Sequence, residues 1–225
     1  MKTTKAETLG SPGRRSLAKN LLHFSLWANA LMVPGLARAN SAKILVLGDS
    51  LSAEYGLARG TGWVALLAQR LKDQKSSFTV QNASISGDTT AGGRARLPAL
   101  LKAHQPAIVI IELGGNDALR GLPLASTREN LLAMTRAAKA AGAKVLLAGM
   151  QVPPNYGASY GREFAALFSE VAKAEKTALL PFLLSGVADR PDALDWFQSD
   201  RIHPLAKAHP LMLENIWGPL KPLLR

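Results

Sequence analysis

Four stretches of the chain are mostly apolar: Lys43 to Gly48 (KILVLG), Phe78 to Ala83 (FTVQNA), Ala107 to Leu113 (AIVIIEL) and Lys144 to Met150 (KVLLAGM). They are short and rich in β-branched side chains, a pattern that predicts strands buried on both faces. Between them the apolar positions recur at helical spacing, as in Trp63, Leu66, Leu67 and Leu71, and again in Leu131, Met134, Ala138 and Ala141. Ser126 followed by Glu129 predicts a capping box opening the second of these helices, and Gly142 fits the C′ position after its end. Phe164, Leu167, Phe168 and Val171 stripe a further helix, Ala178 to Leu180 reads as a fifth strand, and Leu213, Ile216, Trp217 and Leu220 belong to a C-terminal helix. Pro98 and Pro210 stand against continuous helices where they fall.

Alternating strands and helices of this kind predict an α/β protein, a three-layer αβα sandwich around a parallel sheet with right-handed crossovers. Ligands in such folds bind beyond the carboxyl ends of the strands. That rule selects Gly48-Asp49-Ser50-Leu51, Ser86-Gly87-Asp88, Gly114-Gly115-Asn116-Asp117 and Gln151-Val152-Pro153-Pro154, of which the first three are rich in reactive and hydrogen-bonding groups.

The pattern does not begin at residue 1. A basic stretch is followed by an apolar run from Leu21 to Leu36, broken by His23 and Asn29 and ended near Pro34, and then by Ala37-Arg38-Ala39. This is the layout of a signal peptide covering residues 1–39, with cleavage expected after Ala39 and a single domain over residues 40–225. The apolar run is too short and too polar for a stable membrane span, although retention as an amphipathic anchor is the alternative. Arg14-Arg15-Ser16-Leu17-Ala18-Lys19 also resembles a twin-arginine export signal.

Net charge is +11, with 27 Lys+Arg against 16 Asp+Glu. Close to half of the excess belongs to the N-terminal segment, where Lys2, Lys5, Arg14, Arg15, Lys19 and Arg38 face Glu7 alone. No basic-aromatic stripe accompanies the remainder, so nucleic acid is not an expected partner. The absence of cysteine excludes disulfides, thiolate metal sites and a thiol nucleophile.

A serine hydroxyl needs a base, a group that orients the base, and donors for the oxyanion. Asp200-Arg201-Ile202-His203-Pro204 offers an orienter and a base on one short loop, with Asp200 able to accept from His203 Nδ1 while Nε2 faces Ser50. Oxyanion donors are available from the Ser50 and Gly87 backbone N–H groups and the Asn116 amide, and glycine at 87 permits close backbone approach.

The blocks GDSLS, SGD around Gly87, GGND and DRIHP, in this order, resemble the SGNH (GDSL) hydrolase superfamily. NASISGDT, ARLPALLK, ELGGNDALRG and PPNYG make the run from Ile44 onward similar to its branch of periplasmic multifunctional thioesterases, lysophospholipases and arylesterases. The resemblance implies a flavodoxin-like sheet of five strands and no cofactor. It implies Ser50 as nucleophile, Asp200 and His203 as the rest of a triad, and an oxyanion hole of Ser50, Gly87 and Asn116. Leu119, Leu122 and Leu124, on the segment after the third strand, would contact an acyl chain, or else pack inward on the core. The expected substrate is a small acyl ester or thioester, the expected location periplasmic or secreted, and the expected state a monomer with at most transient membrane contact. Arg201 departs from the family pattern, in which glycine is frequent at that place, and Leu205 follows no family pattern.

Each block alone has a simpler reading. Asp200 with His203 could be a helix cap beside a surface histidine, Gly114 to Asp117 a turn, and Ser50 an N-cap. Gly157-Ala158-Ser159-Tyr160-Gly161 matches a nucleophile elbow, but two prolines separate it from the preceding strand. Gly60 to Ala65 formally fits a dinucleotide fingerprint yet lies well beyond the end of the first strand, as a loop entering a helix. His104, His203 and His209 lack metal-ligand spacing. Two alternatives to the esterase remain: a carbohydrate O-deacetylase, and a non-catalytic envelope module that binds acyl or polyanionic ligands.

Overall fold

The structure is a computed structural model that describes residues 41–225, so the signal peptide expected over residues 1–39 and the cleavage expected after Ala39 lie outside the described residues. Five strands, β1 (Ala42–Gly48), β2 (Phe78–Asn82), β3 (Ile108–Glu112), β4 (Lys144–Ala148) and β5 (Ala178–Leu180), form one parallel sheet in the order β2-β1-β3-β4-β5. The ladders close one to two residues before the apolar runs do, so Ala83, Leu113 and Met150 leave the sheet and begin the loops. Ile44 to Leu47 and Val109 to Ile111 are fully buried, as strands covered on both faces must be, whereas β2, also expected to be buried, lies at the sheet edge with Thr79 and Asn82 exposed.

Helices α1 (Trp63–Asp73) and α6 (His209–Leu220) pack together on one side of the sheet, and α2 (Thr90–His104), α4 (Leu124–Ala140) and α5 (Ala158–Glu175) form the other layer. A five-residue helix, α3 (Gly115–Leu119), occupies part of the segment expected to be loop. The inward stripes are those of the sequence: Trp63, Leu67 and Leu71 on α1, Leu131, Met134 and Ala138 on α4, and Phe164, Leu167, Phe168 and Val171 on α5.

Two helix expectations need correction. The α4 helix starts at Leu124, with Pro123 at its N-cap position and no side-chain cap, so Ser126 and Glu129 do not form a capping box. Pro123 supplies the reason: its carbonyl already accepts from Ser126 N–H at 3.0 Å, placing Ser126 inside the first turn. Pro98, in turn, does not stop α2, which runs through it. Both Pro98 and Arg94, whose carbonyl loses its helical partner there, are exposed, so water can replace the missing bond. Pro210 lies in the first turn of α6, where a missing N–H costs least. Gly142 has φ +84° just past the end of α4, as expected of C′.

The chain leaves β1 toward β2 on one side and returns through β3 on the other. A crevice therefore opens between the carboxyl ends of β1 and β3, where connections diverge. Asp49, Ser50, Gly115 and Asn116 stand at its two lips.

Candidate active site

Ser50 follows β1 in a tight turn, in which Asp49 O accepts from both Ser52 N–H (3.2 Å) and Ala53 N–H (3.0 Å). Asp49 Oδ1 accepts from Leu51 N–H at 3.0 Å, pinning the turn from within. Facing it is the loop from Trp196 to Leu205, which closes on itself. Phe197 pairs with Pro204 as an antiparallel bridge, Gln198 N–H donates to His203 O at 2.7 Å, and Leu205 N–H donates to Trp196 O at 2.8 Å. At its tip Arg201 adopts φ +60°. Asp200 Oδ1 takes the N–H groups of Ile202 (2.9 Å) and His203 (3.0 Å), an Asx turn that fixes where the histidine leaves the backbone.

The loop brings together the residues expected from the sequence. Asp200 Oδ2 lies 2.7 Å from His203 Nδ1, and His203 Nε2 lies 2.8 Å from Ser50 Oγ. Desolvation acts to raise the Asp200 carboxyl, but donors from the His203 backbone, the His203 ring and Ile202 outweigh it and hold the group down at about 2. An ionised carboxylate only accepts, so Nδ1 carries the proton and Nε2 is left to accept from the Ser50 hydroxyl. In that tautomer the hydroxyl contacts a ring nitrogen able to take its proton when it attacks.

Asn116 sits in α3, and its Nδ2 donates to Asp49 Oδ2 at 3.0 Å across the crevice. That bond uses one amide hydrogen and leaves the second available. Gly87 has φ +79°, a conformation in which a side chain would be strained, and its carbonyl accepts from Arg120 Nη2 at 2.7 Å. Leu119 and Leu122 are 40% and 36% exposed. Leu124 is separated from them: it opens α4, packs partly against the core and lines a groove with Arg128 and Arg162 between α4 and α5.

Sequence reading missed several groups around the serine. The Tyr55 ring lies 4.3 Å from the His203 ring, and Gln198 Nε2 donates to Tyr55 O at 2.9 Å, tying the serine turn to the histidine loop. Arg120, just past the end of α3, bridges the Gly87 and Asn116 loops. Beneath Ser50, the Glu112 side chain is fully buried, and a single carboxylate within AIVIIEL was the signal available for it. Ser159, by contrast, lies in the first turn of α5, is exposed, and donates to Glu163 Oε1 at 3.0 Å. Gly60 and Gly62 precede α1, and their N–H groups are held by Glu54 Oε1 at 3.0 and 2.8 Å, as a loop entering a helix. His209 is buried, accepting Trp63 N–H at Nδ1 (3.0 Å), and desolvation holds its pKa below the usual value. No group of three or more His, Cys, Asp or Glu side chains suited to a metal ion occurs among the described residues.

A parallel α/β sandwich with a Ser–His–Asp line at its switch-point crevice has the form of a hydrolase. The profile of the GDSL-like Lipase/Acylhydrolase family matches residues 46–211, and the chain belongs to that family. It is 54% identical over 187 residues to Esterase TesA of Pseudomonas aeruginosa, covering 83% of this chain and 92% of the relative. It is 44% identical over 181 residues to Thioesterase 1/protease 1/lysophospholipase L1 of Escherichia coli, covering 80% and 84%. Among solved structures, a crystal structure of TesA superposes with a TM-score of 0.77 over 80% of this chain and 99% of its own. The psychrotrophic esterase EstA from Pseudoalteromonas, inhibited by monoethylphosphonate, gives 0.75 at 39% identity, over 81% and 98%.

Proposed function

We propose that the protein hydrolyses acyl esters and thioesters through an acyl-enzyme on Ser50. Aryl esters, lysophospholipids and acyl-CoA are the substrate classes proposed, in line with the names of its relatives. The single observation carrying this reading is the unbroken line Asp200–His203–Ser50, at 2.7 and 2.8 Å. Ser50 Oγ attacks the acyl carbon as its proton passes to His203 Nε2. The carbonyl oxygen, now negative, takes hydrogen bonds from the Ser50 and Gly87 N–H groups and the free Asn116 amide hydrogen. Collapse expels the alcohol or thiol, which leaves with the proton from His203. Water then attacks the acyl-enzyme, gives a proton to the same nitrogen, and the acid departs as Ser50 regains its own. Asp200 stays ionised throughout, stabilising the imidazolium. Leu119 and Leu122 give apolar contact to the acyl chain, whereas Leu124 reaches it only if the segment between α3 and α4 rearranges. Residues 1–39 direct export and are removed after Ala39, leaving a monomeric periplasmic or secreted enzyme.

A series of nitrophenyl esters and acyl-CoAs of increasing chain length, given to the protein and to Ser50→Ala, tests this. Activity on medium and long chains that disappears in Ser50→Ala is expected. Hydrolysis confined to acetylated sugars would replace the reading with a deacetylase, and undiminished hydrolysis by Ser50→Ala would remove the nucleophile assignment.

A further inference from the structure

Catalysis by the triad makes no use of the most deeply buried carboxyl group near the site. Glu112 ends β3 directly beside Gly48 on β1, with its side chain turned under the serine turn and no exposed surface. Its approach requires glycine at 48, since a Cβ there would stand 2.7 Å from Glu112 Oε2. Oε2 accepts from Ser52 Oγ at 2.7 Å and from Asp49 N–H at 3.3 Å. Oε1 is buried and receives no donor. Among the described residues no Lys, Arg or His side chain forms an ion pair with Glu112.

A carboxylate so placed would be a buried anion with two donors on one oxygen, none on the other, and a second carboxylate beside it. Such a group keeps its proton instead of ionising. Asp49 is its neighbour and differs in supply: Leu51 N–H and Asn116 Nδ2 each donate to it at 3.0 Å, so it can hold a charge. The other charged or titratable groups facing this pair are His203 from the closed loop and Asp88 before α2, the latter held by Arg96 Nε at 2.7 Å.

We propose that Glu112 is a neutral carboxylic acid that donates its proton to Asp49, and that this one-proton carboxyl pair is the positioning element that turns the Asn116 amide toward the oxyanion. One charge on Asp49 holds Asn116 in orientation, while a second charge would repel the oxyanion it helps to stabilise. Burial first and the nearby Asp49 charge second drive Glu112 well above the ordinary carboxyl range, in keeping with the geometry. The assignment rests on the function proposed for Asn116 and Ser50.

Infrared spectra of the enzyme carrying isotope-labelled glutamate carboxyls read the proton directly. At neutral pH a protonated-acid carbonyl band is expected in the parent and in Ser50→Ala, and none in Glu112→Gln. Its absence from the parent overturns the proposal. In kinetics, Glu112→Leu should lower kcat about tenfold or more while KM changes by less than about twofold, because only an oxyanion donor is misplaced. Glu112→Gln, whose amide still donates to Asp49, should recover kcat to within about threefold of the parent. A Glu112→Gln enzyme as impaired as Glu112→Leu would mean that the acid proton is not what Asp49 needs, and the pair would be rejected. Should Glu112→Leu fail to fold, the infrared band and the Glu112→Gln rate still decide between the two outcomes. If instead Ser50→Ala remained active, the catalytic reading would fall while the band still reported whether the pair holds one proton.

Discussion

Two aspartates flank Ser50, and their surroundings push them in opposite directions. Asp200 sits on an open loop with its carboxylate fully supplied with N–H donors, which hold it down at about 2. Asp49, 3% exposed under the serine turn, is pushed from the usual 3.8 up to about 6 by burial, against the pull of Leu51 N–H, His203 and Asn116. Residue type is the same, so the contrast shows what surroundings do: donors with little burial keep a group charged with little strain, and burial makes the same charge costly even where donors reach it. The first arrangement suits a group that must stay ionised through a catalytic cycle. The second stores strain beneath the site.

Replacing each aspartate by its amide should split the two. Asp200→Asn should lower kcat by about 10³ to 10⁴, because the imidazole loses both its tautomer selection and its counter-charge. Steady-state rates on a nitrophenyl ester measure this, and near-full activity would hand the orienting role to another group. Asn116→Ala removes what Asp49 holds and should lower kcat by about 10² to 10³ with a smaller change in KM. An unchanged kcat would detach Asp49 from the chemistry altogether.

Stability gives the converse. Asp49 binds its proton more tightly in the folded chain, so its contribution is fully present below about pH 4 and is lost as pH rises through about 6. Asp49→Asn escapes that loss and should gain about 1 to 3 kcal/mol over the parent at neutral pH, but almost nothing near pH 4. Urea unfolding at the two pH values checks it, and a gain independent of pH would contradict burial of the charge as its cause. Asp200 runs the other way: its depressed value adds stability above the ordinary carboxyl range that disappears as pH falls through about 2. The smallest effect is expected at the loop tip. Arg201→Gly relieves a left-handed backbone and should raise stability by up to ~1 kcal/mol, with kcat little changed. A loss of stability there would show that the Arg201 side chain makes a compensating contact.

Much of this architecture is legible in the chain itself. Short, mostly apolar stretches locate the strands, and GDSLS, GGND and DRIHP place Ser50, Asn116, Asp200 and His203 at strand ends or on one loop. Even the departure at Arg201 is visible, and its φ of +60° explains why glycine suits that position. The start of α4 escapes such a reading because capping residues at 126 and 129 compete with a proline that has already set the helix at 123. α3 escapes it because five residues are too few to show a period. The pairing of Asp49 with Glu112 is hidden for a different reason: the register of β1 against β3 creates it, and register is a property of the assembled sheet.

The closure of the loop from Trp196 to Leu205 has a consequence for how such a protein can change over time. Asp200 and His203 ride on a segment whose ends are already tied to each other by the Phe197–Pro204 bridge, so their mutual geometry travels with it as a cassette. Drift in the α5–β5 half of the chain can move that cassette as a body without separating Asp200 from His203. What has to be kept in alignment is the seam where the cassette meets the serine turn, at Gln198 with Tyr55 and at His203 with Ser50. Remodelling of the crevice can therefore begin with shifts of the cassette as a body, as long as that seam is kept.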